Sequence, residues 1–109
     1  MKLRDLSDEP IVCIGTVTNT RFILRGHVFA RCGITDARGQ EVDVFVDLRV
    51  GRVITGTAEA PVHTRDRRLP HPKFGELIVM WVVRGGKNPR AWRWGFVPGT
   101  WPDIQPRSN

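Results

Sequence analysis

No stretch of about 18 apolar residues occurs in this chain, which argues against a membrane-spanning helix. The first ten residues carry Lys2, Arg4, Asp5, Asp8 and Glu9, too much charge for the apolar core of a secretory segment. Only two cysteines are present, too few for a disulfide framework. Cys13 and Cys32 each lie in an apolar, strand-like run, so they read as reduced, buried and inert thiols in a cytoplasmic protein. The spacing of His63 and His71 matches no zinc pattern. Ser7 lies in the polar lead and no nucleophile elbow occurs. Gly85-Gly86-Lys87 holds only a fragment of a phosphate loop, with no helix pattern after it, and reads as a hairpin turn. The expectation is a non-enzymatic protein with no metal and no cofactor. No ten-residue window shows a convincing helical period.

What the chain does have is alternation. From Phe22, every second residue is small or apolar: Phe22, Leu24, Gly26, Val28, Ala30, Cys32 and Ile34. After the turn signal at 36–40, a second run places Val42, Val44, Val46 and Leu48 on one face. A period of two marks strands with one face in a core. If the turn centres on Arg38, Ile34 meets Val42, Cys32 meets Val44, and Ala30 meets Val46. A one-residue slip would set apolar against polar side chains, so this register is strongly specified. Further strands are expected at 11–18, 51–58, 76–84 and 90–97, with a turn at 19–21 and a bulge or bend at Gly15.

A chain of 109 residues is one domain by size. Short strands at turn-marked spacing make the class all-β. The arrangement resembles a small, partly open, five- to six-stranded OB-like barrel, with an SH3-like barrel as the alternative. Residues 1–10 read as a flexible lead, 11–97 as the barrel with a long basic loop at 59–75, and 98–109 as an extended tail. If 51–58 is the fourth barrel strand, only Arg49 and Val50 remain where an OB-like fold carries a helix, and the basic loop becomes the fourth-to-fifth connection, which lines the binding groove.

Seventeen Lys and Arg against eleven Asp and Glu give a net charge of +6. Most of the cations are Arg, whose planar fork matches phosphate and stacks on rings. They fall into two constellations. The outer face of the hairpin carries Arg25, His27, Phe29, Arg31 and Phe45, with Asp43 and Asp47 positioned to neutralise Arg31. The loop carries Arg65, Arg67, Arg68 and Lys73 among three prolines. Arg84, Lys87, Arg90 and Arg93 extend the track. Trp81 reads as core, while Trp92 and Trp94 read as one face needing cover, which the tail with Trp101 could give. The expected function is binding of single-stranded nucleic acid, DNA or RNA, with little sequence specificity, through phosphate contacts and ring stacking. The alternative is a homo-oligomeric assembly module using the Trp-rich strand and the Pro-rich loop. A third reading is a small-molecule-binding or enzymatic barrel.

Overall fold

The alternating runs become strands that curl into a closed ring. The computed structural model describes residues 10–35, 41–83, 89–99 and 101. Its strands are β1 (Ile11–Leu24), β2 (His27–Thr35), β3 (Glu41–Asp47), β4 (Ile54–Gly56), β5 (Pro61–His63), β6 (Leu77–Val83) and β7 (Arg90–Phe96). A 3-10 turn, Leu48–Val50, follows β3. Five strands close the barrel in the order β1-β2-β3-β7-β6, and β4 and β5 form a separate two-stranded sheet. The parallel seam between β3 and β7 is short: Phe45 meets Arg90 and Val46 meets Ala91. All other barrel contacts are antiparallel. The result is all-β and OB-like, and fully closed rather than partly open.

The β2–β3 register is the one the alternation specifies, with Ile34 opposite Val42, Cys32 opposite Val44, Ala30 opposite Val46, Arg31 opposite Phe45 and Phe29 opposite Asp47. The turn at 36–40 lies outside the described residues. Inside the barrel, Val17, Ala30, Cys32, Ile34, Val44 and Val46 meet Ile78, Met80, Val82 and Trp94. Cys13 packs against this cluster, Cys32 is buried within it, and the two are not joined in a disulfide.

Three boundaries differ from expectation. The run from Phe22 to Ile34 is not one strand, because a two-residue turn, Arg25-Gly26, separates β1 from β2 and sets Leu24 opposite His27. Arg25 and Gly26 have φ of 53° and 81°, both left-handed, as a primed hairpin turn needs. The expected turn at 19–21 is instead irregular pairing within β1, whose register shifts between Val17 and Phe22. The inward placement expected of Phe22 and Leu24 concerns side chains outside those described. Gly15 is not a bulge, since β1 pairs with β6 without a break across it. Its missing Cβ makes room for the Ile34 and Cys32 side chains.

The largest difference is the role of residues 51–76. The fourth and fifth barrel strands are β6 and β7, so this whole segment joins the third barrel strand to the fourth. It stands where the OB-like helix was expected, and the basic stretch is not the fourth-to-fifth connection. That connection is the short link after Val83, largely outside the described residues. Among the described residues no helix is long and apolar enough to cross a membrane.

Candidate nucleic-acid interface

The segment from Gly51 to Glu76 works as a strap across the outside of the barrel. Arg52 donates its backbone N–H to the Trp94 carbonyl at 2.8 Å. Gly95 permits this approach, because a Cβ there would run into the Arg52 carbonyl and the Ile54 side chain. Ile54 packs with Val79 and Trp101 on the barrel's outer face, and the Trp101 indole donates to the Gly56 carbonyl at 2.7 Å. The returning limb is tied to Val53: the Thr64 N–H donates to the Val53 carbonyl, and the Val53 N–H to the Asp66 carbonyl, each at 2.9 Å. Two side-chain turns shape residues 64–68, as Thr64 Oγ1 accepts from the Asp66 N–H and Asp66 Oδ1 from the Arg68 N–H. Leu69 then packs against the barrel core, Pro72 is fully buried, and Gly75 bonds back to Val17.

This docking gathers cations. Arg52, His63, Thr64, Arg65, Arg67 and Arg93 line an open pocket of about 310 Å³, with no carboxylate in its wall among the described residues. Arg52 is 8% exposed. Its Nη1 donates to the Gly51 carbonyl at 2.7 Å and to the Arg49 carbonyl at 3.5 Å, and no carboxylate among the described residues pairs with it. Burial, with Arg93 and Arg67 close by, pulls its pKa below the usual guanidinium range. Burial, Arg93 and Arg52 likewise lower His63. The His63 ring stands edge-on to Trp81 and Trp92, with centroids 4.9 and 5.5 Å apart. A cation with no acid partner among the described residues, and partly stripped of water, is poised for an anion.

A second pocket of about 160 Å³ is lined by Phe29, Asp47, Val50, Arg90, Ala91, Trp92 and Arg93. Arg93 borders both pockets and lies over the Trp92 ring, 4.3 Å from its centroid. The Arg cluster and the ring-bearing face therefore adjoin across Trp92 and Arg93. Trp92 is 42% exposed, whereas Trp94 is buried. They are not on one face, because β7 shifts register against β6: Trp81 pairs with Arg93 but Val82 with Ala91, leaving Trp92 as the extra residue. Trp94 turns inward and donates its indole N–H to the Asp47 carbonyl at 3.1 Å. Trp81 is half-buried on the outer side beside Val79 rather than in the barrel interior. Trp101 covers Val79 and Ile54 rather than Trp92.

The expected site residues separate into groups. Arg65 and Arg67 line the cationic pocket. Arg68 is ion-paired to Asp66 at 3.1 Å, and Lys73 is exposed outside both pockets. Phe29 lines the second pocket. Arg31 lies over the Phe45 ring, 5.6 Å from its centroid, and both are half-buried. Arg25 sits in the hairpin turn rather than on the sheet face, and His27, next to it, is exposed. Asp47 is held by Arg49. Burial works to raise the Asp47 carboxyl, but the Arg49 side chain and backbone N–H and nearby His27 hold it below its ordinary value. Arg90 and Arg93 line the second pocket, while Arg84 and Lys87 lie outside the described residues. Sequence reasoning missed Arg52. The available signal was a cation set between Gly51 and Val53 in an otherwise apolar run. Among the described residues no group of three or more His, Cys, Asp or Glu could hold a metal. Comparisons with protein-family models, with curated proteins and with solved structures found no match.

Proposed function

We propose that this barrel is a non-enzymatic binder of single-stranded nucleic acid with little sequence specificity. The observation that carries the reading is the Arg52–Arg65–Arg67–Arg93 pocket, free of acid in its wall among the described residues, which adjoins the exposed Trp92 ring through Arg93. Guanidinium groups meet backbone phosphates, and an accessible indole stacks with any base, at roughly 1–3 kcal/mol per base. Phe29 and Arg90 supply the continuation beyond Trp92. Two cysteines not joined in a disulfide fit action in the reducing cytoplasm. Fluorescence anisotropy with labelled single strands of mixed sequence, titrated over a salt series, tests the reading. The expected result is binding of DNA or RNA strands at low salt that weakens steeply as salt rises. Absence of binding to any strand at low salt would contradict it.

A further inference from the structure

The cationic pocket is more concentrated than a track along a strand requires. Four guanidinium-bearing side chains converge on about 310 Å³, together with His63 and the hydroxyl-bearing Thr64. They are graded in depth. Arg52 is 8% exposed at the inner wall, Arg93 is half-buried, and Arg65 and Arg67 are exposed at the mouth. Among the described residues none of the four has a carboxylate partner, while Asp66, on the same strap, is occupied by Arg68. An internal phosphodiester brings one negative charge and passes through its site in two directions. A terminal phosphomonoester brings about −1.5 to −2 charges at neutral pH and three strong acceptor oxygens. Only the terminal group can approach a buried guanidinium end-on, and it matches several converging forks at once. Beside the pocket, Trp92 is 42% exposed and carries the Arg93 guanidinium over its ring, so the last base stacks on this Arg–Trp pair rather than on a bare indole.

We infer that the Arg52 pocket holds the phosphorylated end of a nucleic-acid strand, with Trp92 receiving the terminal base. This rests on the nucleic-acid reading above and narrows it to a class of ligand. Three internally labelled oligonucleotides of one sequence test it: one with a 5′-phosphate, one with a 3′-phosphate and one with hydroxyls at both ends. Anisotropy at a single moderate salt concentration should show one phosphorylated form binding about tenfold tighter than the hydroxyl form. Millimolar inorganic phosphate should remove that preference and leave the weaker binding in place. Arg52→Gln should abolish the preference. Because Arg52 is buried, its melting curve is compared with the parent, and Arg67→Gln at the exposed mouth provides a second variant expected to lose most of the preference. Equal binding of all three oligonucleotides overturns the inference and leaves the nucleic-acid reading standing. Binding of none of them overturns both.

Discussion

Arg52 owes its position to the backbone rather than to a salt bridge. Its own N–H is bonded to Trp94, and its guanidinium is bonded to two carbonyls. The neighbouring His63 has a pKa lowered from 6.5 by burial and by Arg93 and Arg52. The unfolded chain therefore takes up this proton first as pH falls. The His63 contribution is present above 6.5 and is lost as pH drops below that value towards the lower folded pKa. Melting temperatures from pH 8 to 5 should fall, and His63→Gln should reduce the fall. An anion in the pocket should shift the His63 titration upward, which is readable by NMR. Cys13 runs the other way: burial pushes its thiol up to about 12 from an ordinary 9.0. Above pH 9 the unfolded chain loses that proton while the folded chain keeps it, so stability should decline there. Thiol titration at pH 8 should be slow in the folded protein and rapid in denaturant. Trp94→Ala removes a buried indole and its bond to Asp47, and should cost about 3–5 kcal/mol, measured by denaturant unfolding.

Strands were legible where alternation was unbroken. Val42–Val46 and Ala30–Ile34 could be paired from parity alone, since a slipped register would expose the core face. Parity failed at two places that insert or remove a residue. At Arg25-Gly26 the apolar alternation runs straight through a turn, so nothing in the period marks the reversal. At Trp92 the bulge separates two tryptophans that simple alternation places together. The strap was illegible because hydrogen bonds to Val53 and the docking of Leu69 and Trp101 hold it, and none of these leaves a periodic trace. Arg65 and Arg67 could be identified as candidates, whereas their convergence with Arg52 and Arg93 exists only after the strap docks on β7. Two substitutions probe these elements. Arg25→Gly relieves a left-handed non-glycine residue and should stabilise the hairpin by about 1 kcal/mol on thermal melting. Gly95→Ala drives a methyl group into the Arg52 carbonyl and Ile54, and should destabilise the fold by about 1–3 kcal/mol in denaturant.

The molecule carries a net +6, yet its cations are not equivalent. Arg49 and Arg68 are neutralised by Asp47 and Asp66, while Arg52, Arg65, Arg67 and Arg93 converge on one pocket without an acid partner among the described residues. Diffuse attraction between a basic protein and a polyanion would treat Arg67 and Arg68 alike, because both are exposed single charges one residue apart. Binding at the pocket would not. The decisive measurement is the slope of log affinity against log salt for a single-stranded oligonucleotide, taken for the parent protein, Arg67→Gln and Arg68→Gln. For single strands each phosphate contact contributes about 0.7 to that slope. Arg67→Gln is expected to weaken binding and flatten the slope by about one contact's worth, with Arg68→Gln close to the parent. Equal losses for the two variants, or a parent slope near zero, would contradict the assignment of this pocket as the nucleic-acid interface.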